Sequence, residues 1–453
     1  VAGGIVSGGS LNAGVGTLNV VGGASFTLGA LYGVDVASAV SNDRLAITGG
    51  LTIGSGVGYA ANFLYTPTFG TTWTVATTTT GVTGSFSSIA SNLPGVLRAQ
   101  VNTVGNNLVM SIIALPFASA GTYESPEQIE VATTLDQIRG MTGGYSALSS
   151  LFNSLDQTPT ALLDEMMESL TPLNAFVSQG LAQGMTGLVT GAVADRSGQL
   201  SAGLGHGFDA SSAAAMLNAN ALQASADPFD AMMMGAAAVV AAQDAAVETA
   251  TKAASIKLRE GWGGFFDIST LLSSGYEATP FIGEADLTGT TGTLGFDYGF
   301  SDGAFAGFSF SYGTADADIA APEQSAEADS WGITVYGGVH EGDSFLNGYL
   351  GYSGQTYDLT RVVPLMLGSQ TLVATPDGET WSAGAEMGFD LTSGSGTFTP
   401  YASLDGKWIS IDSYTETGGS AAMTFDSVDT ALIDARIGMQ YTGTFETGDG
   451  VLR

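Results

Sequence analysis

The chain has 453 residues, of which 43 are acidic and 11 are basic, so its formal net charge is −32, and it contains no cysteine. This charge argues against a nucleic-acid binder, because phosphate backbones require clustered Lys and Arg. The lack of cysteine excludes disulfides, a thiolate nucleophile and a zinc ribbon. A disordered acidic chain is excluded as well, because 44% of the residues are hydrophobic and only 12% are charged.

Charge and glycine divide the chain into three segments. Residues 1–120 are net neutral, residues 121–257 carry a net charge of −10, and residues 258–453 carry −22. The first and third segments hold 20 and 32 glycines, whereas the middle one holds 13. This division predicts a helical or linking region between two β regions. We also expect Val1 to lie inside a longer chain, because no signal peptide precedes the glycine-rich opening.

Short apolar runs alternate with glycine in residues 1–120. The runs at 18–20, 25–28, 44–48 and 51–53 are each too short to bury a face alone. Stacked as successive rungs of a parallel β-helix, with glycine at the corners, they would bury a common core. An antiparallel sandwich is the alternative.

The same segment resembles a known family. The sequences Gly-Gly-Ser-Leu at 8–11, Gly-Thr-Leu-Asn-Val at 16–20 and the run at 41–49 are similar to the C-terminal passenger rungs of type Va autotransporters. Residues 82–86, with the apolar strand that ends near Ile113, resemble the cap of that β-helix. The resemblance implies the end of a passenger, which folds first outside the cell and helps the rest of the passenger to fold.

Residues 121–227 are predicted to form a helical and flexible linker. The sequence Ser-Pro-Glu-Gln at 125–128 supplies a serine N-cap, a proline at the first helical position and an acid in the first turn. It also resembles the segment that follows the passenger in the same family. A second amphipathic run covers 160–188, and residues 198–226, rich in Gly, Ala, Ser and Asn, are predicted to be mobile.

A pore-spanning helix is predicted at 228–257, in a stretch almost free of glycine and proline. It would be about 45 Å long. Its core of twelve apolar residues is too short to cross lipid, and its small side chains suit a narrow channel. Asp230 begins the helix, and Lys252, Lys257 and Arg259 lie at its C-terminal end, where they suit the helix dipole. An ordinary surface helix is the alternative.

Residues 258–453 alternate apolar and polar side chains in strand after strand. For example, Phe296 and Tyr298 flank Asp297, so the aromatic pair and the carboxylate fall on opposite faces. We predict eight strands, joined alternately by long loops and short turns. The long loops fall at about 269–285, 317–327, 359–378 and 414–427, and the short turns at about 301–303, 341–343, 393–396 and 446–450. These alternations are typical of an outer-membrane β-barrel, and a soluble sandwich is the alternative.

The start of this segment also resembles the type Va translocator, in Glu-Gly-Trp-Gly-Gly-Phe at 260–265 and Leu-Gly-Phe-Asp-Tyr at 294–298. That resemblance implies an antiparallel transmembrane β-barrel of twelve strands with a helix in its lumen, of which about eight strands are covered here. An eight-stranded barrel is too narrow for a helix about 10 Å wide. The chain also ends on Arg453, where barrels of this kind usually end on an aromatic residue. We therefore expect about four further strands beyond Arg453.

Two groups of charged residues are candidates for sites in the barrel segment. Residues predicted to face the lumen, where they would pair with one another, grip the helix or hydrate the pore, are Glu386, Asp390, Asp405, Lys407, Asp434 and Arg436. Acidic residues that crowd one predicted outer loop are Asp316, Asp318, Glu323, Glu327 and Asp329. This loop is a candidate for Ca²⁺ or Mg²⁺ bridged to lipopolysaccharide, but a solvated acidic loop is the favoured interpretation, so no metal site is predicted.

No catalytic site is predicted. A Ser-His-Asp triad would need His206 or His340, and we interpret both as solvated loop residues. Two histidines so far apart also argue against a metal cluster. Some members of the family release the passenger by asparagine chemistry inside the barrel, but residues 228–259 contain no Asn. We therefore expect neither an enzyme nor a cofactor.

The predicted function is export and display of the chain's own N-terminal passenger at the surface of a Gram-negative cell, from a barrel in the outer membrane. Expected partners are outer-membrane lipid and lipopolysaccharide, and no nucleic acid. The resemblance adds the barrel-assembly machinery and periplasmic chaperones. The alternatives are a porin-like passive channel and the membrane anchor of an upstream secreted hydrolase or adhesin.

Overall fold

The computed structural model describes the chain except for residues 2, 10–13, 124, 202–207, 217–260, 274–284, 301–302, 321, 367, 394–395, 444, 448–449 and 453. The chain forms two compact units. The first comprises Val1–Thr171 with Pro364–Ser369, and the second comprises Pro172–Val363 with Gln370–Arg453. Among the described residues, no helix is both at least eighteen residues long and apolar enough to cross a membrane.

The first unit begins with a series of short strands. In chain order they are β1 Ile5–Ser7, β2 Thr17–Val20, β3 Ala24–Phe26, β4 Leu31–Ser38, β5 Ser41–Asn42, β6 Arg44–Ile47, β7 Leu51–Ile53, β8 Gly58–Phe63, β9 Thr72–Thr78, β10 Val82–Thr83, β11 Ser88–Ser91, β12 Leu97–Val104 and β13 Asn107–Ala114.

These strands stack in three parallel columns. The first column is β1, β4, β8 and β11, the second is β2, β6 and β9, and the third is β3, β7 and β10. Each turn of the chain therefore adds one strand to each column, which is a parallel β-helix. The predicted rungs are confirmed, and the antiparallel sandwich is excluded for this stretch. The antiparallel hairpin of β12 and β13 then adds to β9, at the position of the predicted cap.

Stacking brings residues at equivalent positions of consecutive rungs into contact. Inside the β-helix, the buried rings of Tyr32 and Tyr59 meet edge to face with centroids 5.6 Å apart. On the other face of the same column, Asn62 Nδ2 donates to Asp35 Oδ1 at 3.0 Å, and Asn92 Nδ2 donates to Asn62 Oδ1 at 3.2 Å. The repeat in the sequence therefore carries both the apolar core and a polar ladder along the axis.

Short helices follow the hairpin. They are α1 Phe117–Ala120, α2 Pro126–Gly140, α3 Gly144–Ala147, α4 Ser149–Gln157 and α5 Leu163–Leu170, with a 3-10 turn at Thr160–Leu162. The predicted cap of α2 is present, because Ser125 Oγ accepts from the Gln128 backbone N–H while Gln128 Oε1 accepts from the Ser125 N–H, at 3.2 and 3.0 Å. This reciprocal pair is a capping box.

Arg139 holds these helices together. Its guanidinium lies 4.1 Å from the ring centroid of Phe117 and 5.1 Å from that of Phe152, and it forms an ion pair with Asp156. Cation–π contacts and a buried ion pair on one side chain give α1, α2 and α4 a common anchor. The helices up to residue 170 thus pack within the first unit, although we assigned everything from residue 121 to a linker.

The second unit contains one long helix and the longest strands. In chain order its elements are α6 Leu173–Ser201, β14 Phe208–Met216, β15 Gly261–Ser273, β16 Ala285–Gly299, β17 Ala304–Ile319, β18 Gln324–Glu341, β19 Ser344–Val363, β20 Gln370–Ala374, β21 Asp377–Phe389, β22 Leu391–Ser393, β23 Gly396–Ile411, β24 Tyr414–Thr415, β25 Thr424–Phe425, β26 Val428–Gly443, β27 Phe445–Thr447 and β28 Gly450–Leu452.

Antiparallel pairing joins β15, β16, β17, β18, β19, β21, β23 and β26 in that order. These are the eight strands that the sequence predicts, and the soluble-sandwich alternative is wrong. β14, in a stretch that we predicted to be mobile, pairs in parallel with β15 at one edge. No pairing joins that edge to β26 within the part of the chain that the structure describes.

The predicted long loop at 317–327 is wrong. β17 and β18 continue through it, and residues 320–323 alone connect them. Small apolar residues such as Ala317 and Ala326 are buried on the inner face, while their acidic neighbours lie on the outer face. We predicted a loop because charged residues are dense there, but buried and exposed side chains continue to alternate through these residues.

Helix α6 lies against the inner face of this sheet and contacts the strands from β15 to β19 as well as β21 and β23. A sheet that meets one helix on so many strands curves around it, so the predicted helix in the lumen is present. The helix observed there is α6, Leu173–Ser201, which lies in the segment that we assigned to the linker. The pore-spanning helix predicted at 228–257, with Asp230, Lys252, Lys257 and Arg259, lies outside the described residues.

Candidate functional site: the barrel lumen and its helix

Helix α6 runs from one end of the sheet to the other. At its first residues, Asn174 N donates to Gln324 Oε1 at 3.1 Å and Asn174 Nδ2 donates to the Thr360 carbonyl at 3.2 Å. These partners lie at the end of the strands that carries the longer connections, which we call the long-loop end. At the last residue, Ser201 Oγ donates to Asn347 Oδ1 at 2.7 Å, close to the two-residue turn between β18 and β19. We call that side the short-turn end.

Apolar contacts fill the lumen in two layers along α6. Near the long-loop end, Leu181 and Met185 pack among inward residues that include Ala315 and Tyr357. Near the short-turn end, Val193 and Leu200 pack with Phe265, Phe305 and Tyr336. Gly184 permits a close approach, since a Cβ there would lie 2.9 Å from Leu271 Cδ2. The helix is thus packed like a core element rather than suspended in a pore.

A buried ion pair fixes α6 to the barrel wall. Arg196 Nε donates to Asp297 Oδ2 at 2.8 Å and Arg196 Nη2 donates to Oδ1 at 3.0 Å, so the contact is bidentate. The Tyr336 hydroxyl donates to the same Oδ2 at 3.1 Å. Arg196 and Asp297 are 2% and 1% exposed. Sequence reasoning missed this pair, because Asp297 was one inward residue among many and Arg196 stood in the presumed linker.

Polar contacts continue along the helix. Thr430 Oγ1 donates to Gln179 Oε1 at 3.0 Å, and Lys407 Nζ donates to the Gln183 carbonyl at 3.3 Å. Beside α6 a gap of about 20 Å³ remains, lined by hydroxyl-bearing residues such as Thr186 and Thr291. A volume of that size admits about one water molecule.

The structure places the six charged residues of the predicted lumen on inward-facing positions of β21, β23 and β26 or just after β21. Lys407 reaches the helix as described, and Asp405 accepts from the Tyr349 hydroxyl at 2.7 Å. Arg436 Nε donates to Asp434 Oδ2 on its own strand at 2.9 Å.

The remaining two members of that group lie toward the short-turn end. Asp390 accepts from Thr399 Oγ1 at 2.6 Å, and Glu386 is half-buried in β21. Among these six charged residues, Lys407 donates the hydrogen bond to the Gln183 carbonyl of α6.

A second buried ion pair lies at the long-loop end. Arg361, which is fully buried in β19, donates from Nε to Glu416 Oε1 at 3.1 Å and from Nη2 to the Ala421 carbonyl at 3.2 Å. Glu416 in turn accepts from the Met423 N–H at 3.0 Å. This pair fastens the connection 412–427 to the sheet, and no pattern in the sequence pointed to it.

The outer face of the sheet is apolar between two rows of aromatic residues. Toward the long-loop end the aromatic residues are Tyr312, Trp331, Tyr352, Trp381 and Trp408, and toward the short-turn end they include Trp262, Tyr298, Phe300, Phe389, Phe398 and Tyr441. Trp381 and Phe389 are eight residues apart in β21, or about 27 Å along the strand and about 21 Å along a barrel axis at a tilt of about 40°. That distance suits the apolar band of about 25 Å on an outer-membrane barrel.

The histidines and the acidic group differ in part from expectation. His340 is partly buried at the end of β18, with Nδ1 2.5 Å from the Ser201 carbonyl, so it is not a solvated loop residue. His206 lies outside the described residues. The acidic residues between 316 and 329 lie mainly on strands rather than in a loop. Among the described residues, no group of three or more His, Asp or Glu is placed to hold a metal ion.

Part of the chain matches a known family model, and two solved structures are similar to it. Residues 268–453 match the family model of the autotransporter β-domain. The translocator domain of the autotransporter NalP from Neisseria meningitidis is similar at 18% identity and a TM-score of 0.32, over 35% of this chain and 55% of that one. The β-domain of the Bordetella autotransporter BrkA is similar at 19% identity and a TM-score of 0.31, over 42% of this chain and 72% of that one.

The chain therefore spans about half the length of the NalP domain that it matches. No curated protein sequence is significantly similar to it. The family match therefore covers 186 of the 453 residues, all of them in the second half of the chain.

Proposed function

We propose that this chain exports and displays its own N-terminal β-helix through the barrel of its second unit. One observation carries the proposal: α6 fills the lumen, with its N-terminal end at the long-loop end of the strands and its C-terminal end at the short-turn end. A helix with this direction in the lumen is in the position expected once the residues that precede it in the chain have crossed the barrel to the long-loop end.

The lengths of the connections assign each end of the barrel to one side of the membrane. Outer-membrane barrels have short turns on the periplasmic side and longer loops outside. On that rule, the strand β15 starts in the periplasm and Leu173 lies at the outer mouth. The β-helix, which precedes α6 in the chain, would then be displayed at the cell surface.

Folding outside the cell would supply the driving force, because the outer membrane has no ATP. Each rung of a β-helix buries its apolar face only against a neighbouring rung. The terminal hairpin of β12 and β13, with the helices anchored by Arg139, would offer the first surface on which the preceding rungs could stack. By the resemblance, lipopolysaccharide, the barrel-assembly machinery and periplasmic chaperones are the proposed partners.

Single cysteines test the topology directly, because the natural chain has none. Val40, in a turn of the β-helix, is 92% exposed, and Asp343 is exposed in the turn between β18 and β19. In intact cells, a membrane-impermeant maleimide should label Val40→Cys. It should label Asp343→Cys only after the outer membrane has been permeabilised. Labelling of Asp343→Cys alone in intact cells would contradict the proposal.

Conductance separates this function from that of a porin-like channel. Because α6 packs against seven strands from the inside, the purified protein in a planar bilayer should conduct poorly. Deletion of residues 174–200 should raise the conductance sharply. A large conductance of the intact chain that is unchanged by the deletion would favour the porin-like channel. Hydrolase activity of this chain would contradict the expectation that it is not an enzyme.

A further inference from the structure

An aromatic row on the outer face of the barrel is interrupted by a small residue. The ladder places Tyr352, Trp381, Trp408 and Ala431 side by side on β19, β21, β23 and β26. The rings of Tyr352 and Trp381 meet edge to face at 5.0 Å, whereas the methyl group of Ala431 leaves the far side of Trp408 open. A gap therefore remains in the aromatic row.

The next row toward the long-loop end carries one acidic residue beside Trp381 and another beside Ala431. There the ladder aligns Glu379, Ser410 and Asp429. Neighbouring strands lie about 4.8 Å apart, so the two carboxylate-bearing positions are separated by about 10 Å. Ser410 Oγ donates to Asp429 Oδ1 at 2.7 Å, and the Tyr352 hydroxyl donates to Glu379 Oε2 at 3.2 Å. Both carboxylates are thereby oriented by neutral donors.

Together the two rows form a groove of about 330 Å³. The residues that define its chemistry are Glu379, Trp381, Trp408, Ser410, Asp429 and Ala431. None of the residues that line it is basic, so its formal charge is −2. Trp381 and Trp408 are 46% and 48% exposed, which leaves their ring faces open to a ligand.

Tryptophan faces beside carboxylates attract an ammonium group. The ring quadrupole draws a cation to the face of an indole, and the two carboxylates complement its charge. The same negative charge disfavours a phosphate-only or other anionic headgroup. The groove lies in the aromatic row that borders the apolar band, where lipid headgroups meet an outer-membrane barrel.

We propose that this groove binds the ammonium group of an amine-bearing lipid headgroup at the long-loop side of the membrane. The proposal rests on the proposed function in one respect, because it requires that the outer face of the barrel meets lipid. The acyl chains of such a lipid would continue over the apolar residues below, among them Leu404 and Ile433, which are exposed on the same face.

The test compares two short-chain phospholipids that share acyl chains and differ in the headgroup, and adds an alkyl glucoside as a probe with a sugar headgroup. The full chain in polyoxyethylene detergent micelles is titrated with dihexanoylphosphatidylcholine, dihexanoylphosphatidylglycerol and octyl glucoside, and binding is followed by isothermal titration calorimetry. The phosphatidylcholine should bind at least tenfold more tightly than the phosphatidylglycerol. The double variant Glu379→Gln with Asp429→Asn should lose that preference.

Two matched variants serve as controls. Asp329→Asn removes a carboxylate near Trp331 and Tyr312, outside the groove, and Trp262→Phe changes the aromatic row at the other end. Both should keep the tenfold preference. Circular dichroism and heat-modifiable gel migration confirm that each variant has a folded barrel.

Three results would overturn the proposal. They are equal binding of the two phospholipids, tighter binding of the glucoside, which would assign the groove to a sugar, and an equal loss of preference in the control variants. Failure of the proposed function would appear elsewhere, as inverted cysteine labelling in cells. A correctly oriented barrel without headgroup preference would refute this inference alone.

Discussion

The ion pair between Arg196 and Asp297 makes a quantitative prediction about the helix in the lumen. In Asp297→Leu, the guanidinium of Arg196 stays in a site where it is 2% exposed, without the carboxylate that accepts two of its hydrogen bonds. Removing one partner of a buried pair costs about 3–5 kcal/mol. Because each 1.4 kcal/mol is a factor of ten, states in which α6 has left its site should become roughly 10² to 10⁴ times more populated.

Cysteine labelling can measure this opening. Ser197, the neighbour of Arg196, is 2% exposed, so a thiol in a Ser197→Cys variant should react with maleimide only when α6 moves. In the Asp297→Leu background, the labelling rate should rise by about the factor estimated above, provided that reclosing is faster than the reaction. Single-channel conductance should show more frequent open events in the same variant.

Two controls separate a lost ion pair from general damage. The double variant Arg196→Met with Asp297→Leu removes both charges, and buried pairs replaced by apolar residues are often neutral in stability. It should therefore label nearly as slowly as the parent. Arg436→Met removes a cation whose described ion pair lies within β26 and whose side chain is 28% exposed, so its effect should be small. A change of less than tenfold in Asp297→Leu, or a double variant as reactive as the single, would refute the reasoning.

Three further predictions concern the loops and the first unit. Arg361→Met breaks the buried pair with Glu416 and should lower the local free energy of opening of 412–427 by about 3–5 kcal/mol, measured as faster amide exchange there; unchanged exchange would show that the pair is dispensable. Gly84→Ala adds a Cβ 1.9 Å from the Ile53 carbonyl oxygen at a φ of +84°, whereas Gly105→Ala, at a φ of +61°, meets nothing within 4 Å. Gly84→Ala should therefore lower the free energy of unfolding of the β-helix by about 3 kcal/mol or more, and Gly105→Ala by about 1–2 kcal/mol. Thermal unfolding measures both losses, and equal losses would contradict the packing argument. Burial raises the pKa of Asp156 to about 6 from its ordinary 3.8, against the opposing attraction of Arg139. The folded state thus binds this proton more tightly than the unfolded chain, so the stabilisation is present below about pH 4 and is lost as the pH rises through about 6, by up to about 3 kcal/mol. The difference in urea unfolding between wild type and Asp156→Asn should follow that pH range, and a difference that does not vary with pH would be inconsistent with a raised pKa.

Much of the architecture follows from local pattern. In a strand, neighbouring side chains point to opposite faces, so the order Trp381, Ser382 places one residue outward and the next inward whatever the partner strand is. The same rule separates outward from inward positions along the long strands, although aromatic residues such as Phe265 and Phe305 also lie on the inner face. The β-helix could also be predicted from the sequence, because short apolar runs with glycine corners can bury their apolar faces only by stacking.

The placement of α6 against the inner face of the sheet could not be predicted from local sequence pattern. By composition, residues 228–257 favour a helix more strongly than α6 does, since α6 contains five glycines, among them Gly184, and also the charged residue Arg196. Those residues become favourable only when the wall is in place: Gly184 lets Leu271 approach, and Arg196 meets a carboxylate 101 positions away in the chain.

The sequence by itself therefore determined the alternating faces of the strands, the eight long strands of the described residues and the stacked rungs of the β-helix, because each depends on residues close together in the chain. The tertiary structure decided that α6 lies against the inner face of the sheet, how the charges of Arg196 and Arg361 are paired, and that the charged stretch near residue 320 continues two strands. Each of these depends on partners distant in sequence, whose contacts compensate for desolvating a charge.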